Sequence, residues 1–269
     1  MIIHVKDFNL TTIANSGQCF RIHEIEDNVF NVQVFDKFLR VYRLSNDIYD
    51  FKCSKREVEF FKNYFDLNTN YNKYKSICKS NDTFLLKCIK KSSGLRILNQ
   101  NKFETIISFI ISQRKSIKAI MTSIERLCMM AGNKYKNKYG IFYGFPTASQ
   151  ILKLSKSDLQ KCGLGYRVEY ITNFCKDFVL KKYNLENMSK LKSDELIEKL
   201  MTIKGVGIKV ASCIALFAYH RVDICPKDVW INRVIDKEYG GKIPTSYDKY
   251  LGIIQQYWYN YAVNNKNTL

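Results

Sequence analysis

The spacing of apolar residues changes once along this 269-residue chain, near Ser54, and that change restricts it to a small set of folds. Upstream, Phe20-Arg21-Ile22, Val29-Phe30-Asn31-Val32-Gln33-Val34 and Leu39-Arg40-Val41-Tyr42-Arg43-Leu44 alternate apolar with polar residues, separated by Glu-Asp-Asn and Asp-Lys breaks. A period of two rich in β-branched and aromatic residues predicts antiparallel strands with one wet face. Downstream, residues 54–65 and 85–89 carry apolar side chains three and four apart, and nearly every segment from residue 102 onward does the same, which predicts helices. The expected fold class is α+β: a small N-terminal antiparallel β-domain packed on a mostly α-helical domain. The two units, 1–95 and 96–269, are expected to meet within residues 90–101, around Ser92-Ser93-Gly94. Helix starts are marked at Phe145-Pro146-Thr147, at Ser155-Lys156-Ser157-Asp158-Leu159 and at Ser193-Asp194-Glu195, where capping side chains and first-turn carboxylates satisfy free amides.

With 46% hydrophobic residues and only 3 Pro, the chain has the material for a sizeable core. The longest apolar runs, 106–111 and 211–219, fall short of the roughly 20 residues a membrane-spanning helix needs, so no membrane association is expected. Neither a secretory signal nor a transit helix opens the chain, so a cytoplasmic location is expected, nucleoid-associated if the source is prokaryotic. Forty-three Lys and Arg against 25 Asp and Glu give +18. That excess attracts polyanions, and nucleic acid is the leading partner, although a lysine-rich proteome also contributes. The nine cysteines show no C-x-x-C spacing and read as reduced, buried small hydrophobes. With three scattered histidines there is little from which to build a metal site or a Ser-His-Asp triad, which leaves Lys and carboxylates to carry chemistry.

The most informative stretch is Leu200-Met201-Thr202-Ile203-Lys204-Gly205-Val206-Gly207-Ile208-Lys209-Val210-Ala211-Ser212-Cys213. Two glycines one residue apart, between an apolar helix end and a second apolar helix, make a tight turn whose amides can hold a DNA phosphate at a helix N-terminus. Such a clamp positions without reading sequence. Taken alone, a G-x-G of this kind is more often an ordinary packing corner. Lys209 stands in the first turn of the second helix, where the dipole and partial burial would favour a neutral, nucleophilic amine. Nineteen residues later comes Asp228, within Cys225-Pro226-Lys227-Asp228-Val229-Trp230-Ile231, which taken alone is more often a helix cap than a catalytic carboxylate.

Taken together, residues 200–233 resemble the helix-hairpin-helix, Gly/Pro, Asp superfamily of base-excision DNA glycosylases, in its lysine-bearing branch. Asn15-Ser16-Gly17-Gln18-Cys19-Phe20-Arg21 is similar to the Ser-Gly-Gln-x-Phe-Arg stretch of the 8-oxoguanine DNA glycosylase/AP lyase family. Tyr64-Phe65-Asp66-Leu67, Gly94-Leu95-Arg96-Ile97-Leu98, Ile107-Ser108-Phe109-Ile110-Ile111-Ser112-Gln113 and Leu164-Gly165-Tyr166-Arg167 follow in family order. The resemblance implies a helix-hairpin-helix catalytic domain behind the β-domain, and double-stranded DNA containing oxidised guanine as partner. It implies no cofactor and no metal, and a monomer is expected. Lys209 then matches the nucleophile that attacks the sugar C1′, and Asp228 the carboxylate that stabilises the developing positive charge. Gly17 matches the position whose carbonyl accepts the N7 hydrogen of 8-oxoguanine, and Ile117, Cys213, Phe217 and Pro226 match substrate-pocket positions. DNA contacts are implied for Arg114, Lys115, Tyr166, Arg167, Gly205, Gly207, Val210 and Trp230.

Three departures stand out. Gln113-Arg114-Lys115-Ser116 replaces a family asparagine run that reads the cytosine opposite the lesion, and Trp230 stands where animal members have a phosphate-binding His. The family's C-terminal helix carries a Gln and an aromatic that close over the lesion. Here Tyr257-Trp258-Tyr259-Asn260-Tyr261-Ala262 runs into a short polar tail, which leaves the stacking aromatic missing or supplied by another residue. A glycosylase for other damaged purines and a non-catalytic DNA-binding protein are the competing readings.

Overall fold

The computed structural model describes residues 1–265, so the end of the tail, residues 266–269, lies outside the described residues. Five antiparallel strands, β1 (Ile2–His4), β2 (Ile22–Glu26), β3 (Val29–Val34), β4 (Lys37–Arg43) and β5 (Ile48–Lys52), pair in the order β1-β5-β4-β3-β2. Phe30 faces Val41 and Val32 faces Leu39 across β3 and β4, and all four are fully buried. A one-residue slip would turn this apolar row to water, so the alternation seen in the sequence sets the register.

Behind the sheet, helices Lys102–Ser112 and Ile208–Tyr219 pack against each other. Both are apolar nearly all round, as central helices must be, and ten of the twelve residues of Ile208–Tyr219 are buried. Helices Ile117–Ala131, Ser193–Met201, Val229–Tyr239 and Leu251–Asn264 surround them. The expected α+β architecture is the one found. Thr147 caps its helix reciprocally with Gln150, and Ser155 accepts from the Asp158 amide. Helix Ser193–Met201 begins one residue earlier than its serine suggests, with Lys192 in the extended cap position and its amide donating to Glu195 at 3.0 Å.

Two features depart from the helical reading of the second half. A hairpin, β6 (Lys134–Asn137) and β7 (Gly140–Tyr143), interrupts the helices. Tyr135 stacks on Phe142 with ring centres 5.0 Å apart, Phe38 of β4 lies 5.0 Å from Phe142, and the Arg40 guanidinium covers Tyr139 at 4.5 Å. The alternation in Lys134-Tyr135-Lys136 is a strand signal that the lysines obscure. Around the expected junction, the chain is a buried strap rather than a loop: Leu95, Arg96, Ile97 and Leu98 are all buried. Arg96 donates to the carbonyls of Asp7, Asp66, Thr69 and Lys6 at 2.6–3.1 Å and lies on the Tyr71 ring. Gly94, at φ +80°, lets this strap approach Asn9 so closely that a Cβ would sit 2.6 Å from the Asn9 backbone nitrogen.

A second anchor is Arg21, buried between the sheet and the helices. It pairs with Glu125 at 3.0 Å and donates to Gln33 and to the Tyr143 carbonyl. All nine cysteines are free, six of them buried, in keeping with their reading as small hydrophobes. Among the described residues no helix is long and apolar enough to cross a membrane.

Candidate active site

Between helices Ser193–Met201 and Ile208–Tyr219 the chain turns through Gly205 at φ +85°. A Cβ here would lie 2.3 Å from the Tyr170 ring, so the position admits only glycine. Gly207 caps the second helix in an extended conformation without a side-chain hydrogen bond, and a Cβ on it would meet nothing within 4 Å. The first-turn amides of such a helix have no partner inside it. Here they open to solvent beside Ile208, which is 61% exposed, so the hairpin presents donors and the positive helix end on an accessible surface. Val206 and Val210 are buried and hold the turn from beneath. Of the hairpin residues expected at DNA, Val210 therefore has only its backbone to offer.

Lys209 stands in that first turn. It is exposed, so the partial burial expected for it is absent. Asp228 opens helix Val229–Tyr239 in an extended conformation, and its Oδ1 accepts from the Ile231 amide at 2.9 Å. The carboxylate thus caps its helix while facing the same cavity as Lys209.

That cavity, of about 60 Å³, is where elements distant in sequence converge: Gly17 at φ +73° from the sheet domain, Lys209, Cys213 and Phe217 from the second hairpin helix, and Pro226 and Asp228 from the loop after it. Six residues singled out from the sequence share one space. Phe217 lies parallel to Phe109 with ring centres 5.5 Å apart. Burial pushes the Cys213 thiol up to about 11, so it packs as a neutral hydrophobe.

Sequence reasoning missed Phe109, Gln255, Gln256 and Tyr259, which together with Ser16 complete the lining. Of the two outcomes that the tail sequence leaves open, an aromatic missing or one supplied by another residue, the cavity lining agrees with the second, with Tyr259 in its wall. Gln255 and Tyr259 are four apart on helix Leu251–Asn264, hence on one face, and that face meets the cavity. The Tyr259 hydroxyl comes within 3.2 Å of where a Gly17 Cβ would sit. Its phenol is pushed up to about 12 by burial, with Asp228 adding to the effect, so it stays a neutral hydroxyl. Gln255 donates to the Pro226 carbonyl at 3.1 Å and accepts from Gln256 at 3.0 Å, and both amides are buried.

A second cluster lies at the loop after helix Lys102–Ser112. Arg114 is exposed and held at φ +51°, a left-handed conformation that costs a non-glycine residue energy and is kept only where surroundings enforce it. Enforcement comes from both sides: Gln113 donates to the Gly205 carbonyl at 3.1 Å, and Arg167 donates to the Gln113 carbonyl. Arg167, expected at DNA, is 5% exposed and also donates to the Leu164 carbonyl, while Tyr166 stands out at 51%. Lys115 donates to Ser123 at 2.6 Å and to the Gly163 carbonyl at 2.5 Å. Partial burial, with Arg167 and Arg126 nearby, holds its ammonium below the usual lysine range. Of these four expected DNA contacts, Arg114 and Tyr166 are presented outward and the other two support them. Ile117 and Trp230 are not brought into the cavity. Ile117 is half-buried against the core, and Trp230 lies half-buried under the Arg233 guanidinium at 5.1 Å.

Residues 1–106 match the family model for the 8-oxoguanine DNA glycosylase N-terminal domain, and residues 107–258 that for HhH-GPD superfamily base excision DNA repair proteins. A solved 8-oxoguanine glycosylase/lyase from Clostridium acetobutylicum, in complex with double-stranded DNA containing cytosine opposite 8-oxoguanine, superposes with a TM-score of 0.90 at 30% identity, covering 97% of this chain and 93% of that one. The chain belongs to the 8-oxoguanine DNA glycosylase family. An N-glycosylase/DNA lyase of Saccharomyces cerevisiae is 33% identical to this family member over 158 residues, covering 54% of the chain and 42% of the yeast protein. A probable N-glycosylase/DNA lyase of Methanothermobacter thermautotrophicus is 26% identical over 211 residues, covering 71% and 66%. The chain thus spans less than two thirds of the length of these two curated relatives.

Proposed function

We propose that this chain is a bifunctional DNA glycosylase and AP lyase that removes 8-oxoguanine from duplex DNA. The observation that carries the reading is the convergence of Gly17 from the sheet domain with Lys209 and Asp228 from the hairpin motif on one small cavity, beside a helix end whose cap has open space around it. The cavity is small, about 60 Å³, and an entering base meets Gln255, Gln256 and Tyr259 of the terminal helix along its wall. The base reaches it only by leaving the stack. The hairpin amides and Arg114 hold the strand while this happens.

In the reaction, the Lys209 amine attacks the sugar C1′ and gives up a proton as the new bond forms. The bond from C1′ to the base nitrogen breaks, its electron pair leaves with the base, and the base takes up a proton. Asp228 stabilises the positive charge that develops on the sugar, a role for which a fixed carboxylate in a water-poor site is suited. Ring opening converts the adduct to an iminium. Loss of a C2′ proton then expels the 3′ phosphate by β-elimination, and water releases Lys209. Because Lys209 is exposed here, the bound DNA itself supplies the cover that excludes water. Phe217 and Phe109 offer the entering base an apolar floor.

Single-turnover excision across duplexes carrying 8-oxoguanine, an alkylated purine, a ring-opened purine or no damage tests the substrate. Fastest release from the 8-oxoguanine duplex is expected. Preference for an alkylated purine would replace that substrate, and release from none would leave a DNA-binding protein.

A further inference from the structure

A glycine can line a cavity only with its backbone, so whatever fixes the backbone at residue 17 fixes what Gly17 presents there. Its neighbour Gln18 is fully buried and faces away from the chemistry, yet its hydrogen bonding is fully committed. Its Nε2 donates to Ser16 Oγ at 2.9 Å and to the Arg96 carbonyl at 2.8 Å, and its Oε1 accepts from the Leu98 amide at 2.9 Å. Its own carbonyl accepts from Gln100 at 2.7 Å. Ser16 in turn donates to the Ile13 carbonyl at 2.7 Å. The residues on either side of Gly17 are thereby tied down, and three of the ties run to a strap about eighty residues away that Arg96 itself holds rigid. A left-handed turn at φ +73° would otherwise be free to rotate, since glycine populates many conformations.

We propose that Gln18 is a positioning residue that sets the Gly17 backbone against the cavity and thereby governs selectivity for a purine carrying a hydrogen on N7. The inference rests on the reading of the cavity as an 8-oxoguanine site. It gives the strap a role in specificity, beyond holding the two halves together. A hydrogen bond to a buried acceptor discriminates only when the acceptor is held where the donor arrives, and mismatched buried polar groups are costly.

The test compares affinities for two duplexes, one carrying 8-oxoguanine and one its 7-deaza analogue, which has C–H in place of N7–H. A Lys209→Gln background prevents turnover, and the ratio of the two Kd values cancels any loss common to both. With Gln18 intact, the 8-oxoguanine duplex is expected to bind about tenfold more tightly, the yield of one well-placed hydrogen bond in a buried site. Gln18→Leu, of similar volume but without hydrogen bonds, is expected to bring that ratio close to one. Gln100→Leu removes a single tie from a half-buried position and is expected to reduce the ratio in the same direction. It decides the matter should Gln18→Leu fail to fold. A ratio that survives in these variants, with both affinities weakened alike, would overturn the inference and leave Gln18 a structural residue. Absence of any preference with Gln18 intact would overturn the 8-oxoguanine reading as well.

Discussion

Asp228 holds two positions at once, helix cap and cavity wall, and the two can be separated by substitution. Asparagine caps a helix about as well as aspartate, while alanine costs about 1 kcal/mol at such a site. Asp228→Asn is therefore expected to leave the Tm nearly unchanged while lowering single-turnover excision by about a hundredfold or more, the scale of losing a preorganised electrostatic group. Asp228→Ala is expected to lose both. Excision that survives in Asp228→Asn would assign the carboxylate to capping alone. The cations divide in a similar way. Arg114 projects from a braced loop, whereas Arg167 is buried with its hydrogen bonds spent on Leu164 and Gln113. Arg114→Ala is expected to reduce the slope of log affinity against log salt by about one, the signature of one lost phosphate contact. Arg167→Ala is expected to lower the Tm through its unsatisfied carbonyls, and a slope change without a Tm change there would reverse the assignment.

At the scale of elements, the hairpin shows why two glycines separated by one residue are not equivalent. Gly205 is required twice over, by its positive φ and by the Tyr170 ring, whereas Gly207 has an ordinary φ and open space at its Cβ. Gly205→Ala is expected to destabilise by about 1–3 kcal/mol through strain, and Gly207→Ala by no more than about 0.5 kcal/mol. If Gly207→Ala nonetheless weakens binding to undamaged duplex, its methyl obstructs a phosphate at the helix end. Unchanged binding in a folded Gly207→Ala protein would move the phosphate contact elsewhere. Much at this scale was legible in the sequence. β3 was marked out residue by residue, because β-branched alternation and the breaks beside it act locally, and the caps at Thr147 and Ser155 were visible for the same reason. The hairpin of β6 and β7 was not, since its apolar face, Tyr135 and Phe142 with Tyr139 at the turn, is short, begins on a strand whose alternate residues are lysines, and gains a partner only on meeting Phe38.

Across the whole molecule, the site depends on contacts that no local pattern announces. Lys209 and Asp228 were found through a motif, but their shared cavity with Gly17 exists because Arg21 and the strap carrying Arg96 fasten the sheet to the helices. Gln255 and Tyr259 escaped notice because their four-residue spacing acquires meaning only once the terminal helix is known to face that cavity. That Arg167 is buried and braces a loop was not legible, because a sequence does not distinguish a cation that reaches outward from one that turns inward. The central claim is that Lys209 forms a covalent bond to the sugar at a damaged base. Borohydride trapping tests it most directly, on an 8-oxoguanine duplex, an abasic duplex and an undamaged one, with the wild-type protein and Lys209→Gln. Reduction of the Schiff base leaves a stable protein–DNA adduct. The account predicts adducts on the 8-oxoguanine and abasic duplexes, none on the undamaged one, and none with Lys209→Gln; an adduct that persists in Lys209→Gln, or no adduct with the wild type, would contradict it.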